Sequence, residues 1–441
     1  MFLSPVVCWF VALLLLLAPA VNLIWQGGTG YCFFVLLALA LFSAFSTRRP
    51  AGYFAGLKRY PWYVAGMGAF LVAIVIQQVV HGWWMPRQFD AISRFALAIP
   101  VFLLLRQLPS RYFPAIGWGC AAGALIIGAI ALAQRPSGGW TDVDRLNNYY
   151  TNAIPFGDTS LLLAFLSIFT LGWDERCKKA SRVLKLAALL AGGFASYSSG
   201  TRGGWVAVPV FLFMLGVQYG VFATRRRIML ATLTAAICVG GLLATSRIQQ
   251  RIADCVSDLT LFSQGKTDSS TGIRLELWKG ATRLFVTHPV YGIGKGKLED
   301  SYNALADQNY IPRQFVNERA HSDFFSTIAE SGSIGVLCLL TFYYGSAVYF
   351  WRKRRAADAF VRTAAWSGLA VAFSTMIFGL TIDVLVPVMV TTLVALLVAT
   401  LLAAIDARER EINEKAAKRP ASGNEVAIEQ LSNAQVPGQP G

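Results

Sequence analysis

Pro387-Val-Met-Val-Thr-Thr-Leu-Val-Ala-Leu-Leu-Val-Ala-Thr-Leu-Leu-Ala-Ala-Ile405 contains no charged residue. A helix of about 20 such residues crosses the hydrocarbon core of a bilayer. Comparable runs occur at 5–24, 30–46, 61–80, 89–106, 113–133, 155–173, 183–200, 204–223, 228–245, 323–350 and 363–385. With 387–405 they predict about twelve transmembrane helices. Arg94 interrupts the 89–106 run, and 183–200 is rich in Gly and Ser, so these two give the weakest signals. Overall composition points the same way: 441 residues, 55% hydrophobic, 14% charged, with a mean hydropathy of +0.51. Soluble domains carry about a quarter charged residues. The two or three soluble domains that the length alone would allow are therefore excluded. The expectation is an all-α polytopic membrane protein.

The net charge of +15, from 39 Lys+Arg against 24 Asp+Glu, is concentrated in short blocks between the apolar runs. They are Arg48, Arg49, Lys58 and Arg59; Arg176, Lys178, Lys179, Arg182 and Lys185; Arg225 to Arg227; and Arg352 to Arg355. Such blocks mark cytoplasmic loops, so the excess is topological and no nucleic-acid partner is implied. This orientation puts both termini in the cytoplasm. The first run ends in Ala18-Pro19-Ala20, but Lys and Arg are missing from the residues before it. It is read as an uncleaved first span. Cys8, Cys32, Cys120, Cys238 and Cys338 lie singly in apolar runs, with Cys177 and Cys255 in loops. No disulfide framework or metal-spaced cluster is suggested.

Four segments follow: spans one to nine in 1–245, one long outside loop in 246–322, spans ten to twelve in 323–405, and a cytoplasmic tail in 406–441 read as disordered. No internal repeat is visible. Within the long loop, Leu277, Trp278, Ala281, Leu284 and Phe285 share one face at helical spacing. Thr271 and Gly272 are placed to cap that amphipathic helix.

An ionisable group in or beside hydrocarbon is costly, so function is its default explanation. Three such places fall on the outside face. Tyr197-Ser-Ser-Gly-Thr-Arg202-Gly-Gly-Trp205 joins two spans; small residues around one Arg favour an anion, although a tight hairpin with a snorkelling Arg also fits. Arg274 opens the amphipathic helix, where its charge and the helix N-terminus both attract phosphate. Downstream, His288-Pro289 and Gly292-Ile-Gly294 read as a helix stop and a turn. Arg319-Ala-His321-Ser-Asp-Phe leads into the tenth span. His321 is a candidate general base, with an interface residue beside a Ser322 or Asp323 cap as the bland reading. Glu330 lies nine positions on, facing away from His321, and Gly332 and Gly335 suit close helix packing.

Weaker candidates remain. Asp142-Val-Asp144 matches a metal-binding Asp-x-Asp pattern that arises readily by chance, and no metal site is expected. Arg145, beside Asn147 and Asn148, and Arg319 are candidates for binding an anionic or sugar ligand. Asp383 and Gln77-Gln78 could line a polar cavity, and Asp383 could equally pair with an Arg. His81, Trp83 and Trp84 look like an aromatic interface belt.

In this order and topology the pieces resemble the O-antigen ligase family (Wzy-C superfamily) of Gram-negative inner membranes. The resemblance covers nearly the whole chain. It rests on Ser-Gly-Thr-Arg202-Gly, on Arg274 with Trp278, His288-Pro289 and the Gly292-Ile-Gly294 turn, and on His321-Ser322 followed after nine residues by Gly332-Ser-Ile-Gly335. Thr201 stands where many members have Ser. The resemblance implies a GT-C-like helical fold with a large periplasmic loop. It implies transfer of a polysaccharide from undecaprenyl diphosphate (donor) to a sugar hydroxyl of lipid A–core (acceptor), by an enzyme acting as a monomer among membrane lipids with no cofactor. His321 would be the general base and Arg202 and Arg274 would stabilise the departing diphosphate. Alternatives within the superfamily are an O-antigen polymerase and a protein O-oligosaccharyltransferase; from another class, a secondary transporter or flippase.

Overall fold

Among the described residues every apolar run contains helix, although 228–245 lies mostly outside them. The computed structural model describes residues 4–418 except 48–49, 51, 142–143, 175–177, most of 231–269, and 314–317. Ser4 accepts a hydrogen bond from the Val7 amide and Pro5 sets the first turn of α1 (Pro5–Ala20), the position where a missing N–H costs nothing. Then follow α2 (Gly28–Phe45), the short α3 (Ala55–Arg59), α4 (Pro61–His81), α5 (Phe89–Leu105) and α6 (Pro114–Ala133). Asn152 caps α7 (Ala153–Phe169). The next elements are α8 (Lys178–Ser198), α9 (Ala207–Gln218), α10 (Ser270–Thr287), α11 (Leu298–Asp307), α12 (Asp323–Lys353), α13 (Ala359–Gly379) and α14 (Val388–Ala417).

Eight helices among the described residues are long and apolar enough to cross a membrane, while Pro5–Ala20 and Gly203–Gln218 are apolar but shorter. These account for part of the expected set of about twelve spans, of which the ninth, 228–245, lies mostly outside the described residues. Helix α8 departs because Lys178, Lys179, Arg182 and Lys185 make its first half polar. Lys185 is not the solvated loop cation its neighbours suggested. It is fully buried, 2.7 Å from Asp174, with the Thr170 hydroxyl 3.1 Å away.

Helices α7, α13 and α14 form the most buried part of the bundle. Around them α8 packs on α7, α12 on α4, α6 on α1 and α14 on α5. Trp9, Phe42, Phe45, Val183 and Leu190 are exposed on the perimeter, the arrangement expected where lipid is the solvent.

Two expectations need correction. The tail does not lose structure at Asp406: α14 continues to Ala417. The reason is a buried ion cluster. Asp406 is fully buried, 2.9 Å from Arg106 Nε, 3.2 Å from Arg59 and 3.1 Å from Arg410, and it accepts from the Tyr60 hydroxyl at 3.1 Å. Residues 419–441 lie outside the described residues. Second, α10 begins at Ser270, so Thr271 and Gly272 form part of its first turn and are not its caps.

The tenth span is broken. Gly332 adopts φ 60°, ψ −153° inside α12, a region open essentially to glycine alone. The break frees polar backbone that the preceding loop takes up. Ser333 N donates to Pro289 O at 2.8 Å, while Ile293 N donates to Ala329 O and Gly294 N to Glu330 O, both at 3.0 Å. Helices α10 and α11 share a small core of Leu277, Ala281, Leu284, Tyr302, Leu305 and Ile311 that also takes in Ala320 and Ala329. The loop is thereby seated on the start of α12. Gly332 acts by admitting this backbone; the atoms nearest a Cβ on Gly335 belong to its own helix, at Ser331 and Thr327.

Candidate functional site

The α8–α9 turn carries Arg202. Gly200 supplies the left-handed φ of 68° that lets the chain reverse. Thr201 ties the turn to the start of α7 by donating to Ala153 O at 3.0 Å, and shares a hydrogen bond with Ser199 at 2.8 Å. Threonine in place of serine thus keeps the hydroxyl that anchors the turn. Arg202 itself is exposed.

The loop before α7 docks on this turn. Leu146 N donates to Ser198 O at 3.0 Å, and Arg145 Nε donates to Ser199 O at 2.7 Å. Burial and the neighbouring charge of Arg202 both lower the Arg145 pKa. Arg274 joins from α10: burial first and Arg202 second lower its pKa, while the charge of Asp158 opposes them. Arg202 therefore lies close enough to both Arg145 and Arg274, from widely separated parts of the sequence, for its charge to act on each.

His321 sits on the neighbouring loop. Its backbone has φ 50°, a conformation unusual for a residue with a side chain, although His tolerates it better than most. Its Nε2 lies 3.0 Å from Glu318 Oε2. The two side chains are thus within hydrogen-bond reach of each other. This loop and the arginines meet through α10. Trp278, one helical turn beyond Arg274, donates from Nε1 to Ala320 O at 2.9 Å and stacks on Phe325 with ring centroids 4.6 Å apart.

The α13–α14 turn forms the third wall. Ser322 Oγ donates to Gly379 O at 3.3 Å, so Ser322 ties the loop to this turn and does not cap α12 with its side chain. Asp323 accepts from Leu385 N at 3.1 Å and from the Tyr343 hydroxyl at 3.2 Å. A Cβ on Gly203 would stand 2.2 Å from Thr381 Oγ1, placing the residue after Arg202 against the same turn.

Several sequence expectations change here. Arg319, expected to bind substrate, is already committed to acids: it lies 3.4 Å from Glu330, 3.4 Å from Asp383 and 4.0 Å from Glu299. Burial would lower its pKa, but these three carboxylates outweigh that and raise it. Asp383 is thus the partner of an Arg. Fully buried Glu330 also accepts from Lys295 Nζ at 2.5 Å and from Gly296 N at 3.0 Å, so it serves this network and not His321. Gln77 is engaged in hydrogen bonds. It donates to the carbonyls of Tyr291 and Glu330 and accepts from Lys295 N at 2.9 Å, and Gln78 is bound to Met85. His288 pairs with the adjacent Thr287. Asp142 lies outside the described residues, and among those described no group of three or more His, Cys, Asp or Glu could hold a metal. His81 stacks on Trp83 with centroids 4.6 Å apart, and Trp84 is exposed.

Sequence reasoning missed Glu318 and Asp158. Glu318 stands three positions before His321, a spacing that offered the pairing directly. Asp158 interrupts the apolar run 155–173 and should have been flagged by the rule applied to Arg and His.

Residues 186–340 match a protein-family model, Wzy_C, described as O-Antigen ligase. That interval contains Arg202, Arg274, Arg319, His321 and Gly332; Arg145, Asp158 and Asp383 lie outside it. Over 271 residues the chain is 25% identical to a Haemophilus influenzae protein described as uncharacterized, a match covering 60% of this chain and 66% of that protein.

Proposed function

On the premise that this polytopic chain belongs to the O-antigen ligase family, as its residues 186–340 indicate, we propose that it is an inverting, metal-independent glycosyltransferase of the Gram-negative inner membrane. It moves O-antigen polysaccharide from undecaprenyl diphosphate to a sugar hydroxyl of lipid A–core at the periplasmic face. What supports this reading is that the charge of Arg202 acts on both Arg145 and Arg274, and that the helix carrying Arg274 is hydrogen-bonded through Trp278 to the loop that holds His321 and Glu318.

The chemistry follows from those groups. The acceptor hydroxyl oxygen attacks the anomeric carbon while the bond from that carbon to the phosphate oxygen breaks on the opposite side, inverting the centre. The hydroxyl proton passes to His321 Nδ1, and Glu318 stabilises the resulting imidazolium through Nε2–H. Negative charge gathers on the departing diphosphate, where Arg202 and Arg274 stabilise it with forked, charge-assisted hydrogen bonds. Arg145 adds to the local field while its Nε holds the turn. Activation resides in the lipid-linked donor, so no nucleotide is required.

The test is reconstitution of the purified chain with undecaprenyl-diphosphate-linked glycan and either lipid A–core or a second donor molecule. Polymer on lipid A–core supports the proposal. Longer lipid-linked glycan would make the chain a polymerase, and glycan uptake into liposomes without either product would make it a transporter. Replacing His321 with Ala is expected to lower transfer about 10²–10⁴-fold, and Arg202→Ala or Arg274→Ala about 10²-fold or more. Loss of activity in chelator, restored by a divalent cation, would overturn metal independence.

A further inference from the structure

A cavity of about 870 Å³ lies at the other end of the bundle from the candidate site. Arg408 lines it and stands 20 residues beyond Val388, the start of α14, about 30 Å along the helix from the α13–α14 turn. Its walls come from widely separated parts of the chain: Trp9 from α1, Arg111 and Tyr112 from the α5–α6 connection, Trp118 from α6, Trp173 after α7 and Phe360 from α13. The volume falls within the range of about 300–1,000 Å³ common to small-molecule sites.

The charged groups in these walls are not equivalent. Arg408 donates from Nε and Nη2 to Asp358 Oδ2, at 3.0 and 2.9 Å. Asp174 is 2.7 Å from the buried Lys185 and accepts from Trp118 Nε1 at 3.1 Å. Arg111 differs. It is exposed, and among the described residues its guanidinium is hydrogen-bonded to a phenol, Tyr112 at 3.1 Å, and to no carboxylate. A guanidinium has five N–H donors, so most of those on Arg111 remain for a ligand. An adjoining cavity of about 610 Å³ shares Gly172 and Asp174 with this one and adds Lys178 and Arg182. The charge left over is positive, and it selects an anion.

The rings select the kind of anion. Trp9 packs edge-on against Tyr112 with centroids 5.2 Å apart, and Trp173 stacks on Phe360 at 5.1 Å. Trp9 is also 68% exposed and belongs to the lipid-facing perimeter, so the cavity borders the bilayer. A small aqueous anion gains nothing from this aromatic surface. A phospholipid does, because its carbon-rich part can lie on the rings while its phosphate meets the guanidinium; tryptophan and tyrosine commonly sit at headgroup level, and basic pockets between membrane helices hold anionic headgroups.

We propose that this cavity binds an anionic phospholipid, with the phosphate on Arg111 and the apolar part against Trp9, Tyr112 and Phe360. The site is remote from Arg202 and His321, so the proposal does not depend on the reaction assigned to them.

The test titrates the purified full-length chain in detergent with phosphatidylglycerol or phosphatidylcholine carrying the same dibrominated acyl chains, and reads quenching of tryptophan fluorescence. Phosphatidylglycerol is expected to quench at about 10-fold lower concentration, the order of one hydrogen bond to a charged group. Arg111→Ala is expected to remove that preference. Arg225→Ala, which deletes an exposed cation that does not line the cavity, is expected to keep it. No preference in the unmodified chain would overturn the site, as would equal losses in the two variants, which would assign the attraction to the basic face as a whole. Exchanging chloride for inorganic phosphate at constant ionic strength is expected to leave the preference intact. If phosphate abolishes it, the cavity takes a small aqueous anion and the lipid assignment falls. Arg111→Gln provides a second neutral side chain should the Ala variant fold poorly, and a preference retained by either folded variant overturns the proposal. Failure of both to fold would make the guanidinium structural and likewise overturn it.

Discussion

Replacing Gly332 with Ala tests whether the break in α12 holds the loop in place. The backbone there, at φ 60° and ψ −153°, costs a residue with a side chain about 1–3 kcal/mol. The new methyl would also stand 2.5 Å from Val290 O and 2.8 Å from Gly292 N. Both are main-chain atoms, so the loop must shift and the bonds from Ser333 N to Pro289 O and from Gly294 N to Glu330 O are strained. A lost hydrogen bond contributes about 1 kcal/mol, and the total is about 3–5 kcal/mol. Gly193→Ala is the matched control. It lies in α8, where an added Cβ meets nothing within 4 Å, and should be neutral or stabilising by up to about 1 kcal/mol. Thermal unfolding of the two detergent-solubilised variants at one scan rate, followed by intrinsic tryptophan fluorescence, gives the comparison; a fixed rate matters because such unfolding is often irreversible. Gly332→Ala should unfold several degrees lower and lose transfer activity. If it matches Gly193→Ala in midpoint, α12 is not pinned by this contact and the account of how the loop is seated fails.

Other expectations concern separate links. Glu318→Gln should lower transfer about 10- to 100-fold, the usual effect of removing a partner that orients a functional imidazole, with donor affinity unchanged in a calorimetric titration with farnesyl diphosphate; unchanged transfer would detach Glu318 from the base. Asp406→Ala leaves Arg106, only 6% exposed, facing a vacated partner, and should destabilise the fold by about 3–5 kcal/mol, seen as reduced folded yield on size-exclusion chromatography. Transfer per folded molecule should stay the same, because this cluster lies at the opposite end of α14 from the turn that faces Arg202.

Much of the architecture was legible from local runs of residues. Hydropathy accumulates over about 20 neighbours, so the apolar helices and the amphipathic helix near Arg274 could be read without knowing what packs on what. The count of spans was less legible, because the basic first half of α8 and the shorter α1 and α9 depart from the uniform pattern. The end of α14 was hidden for a different reason. Asp406, Glu409 and Arg410 look like the start of a solvated tail until Arg106 and Arg59, some 300 residues earlier, are known to meet them.

The candidate site divides along the same line. The residue types capable of the chemistry were set by sequence alone: a histidine at a boundary, an arginine in a turn of small residues and an arginine near a helix start. Only the tertiary structure decided which charges neutralise one another. It gave Arg319 to Glu330 and Asp383, brought Arg145 and Arg274 within reach of the charge of Arg202 and paired His321 with Glu318. Electrostatic partnership depends on distances of a few ångströms between side chains, and those distances arise only once helices remote in the chain are packed together.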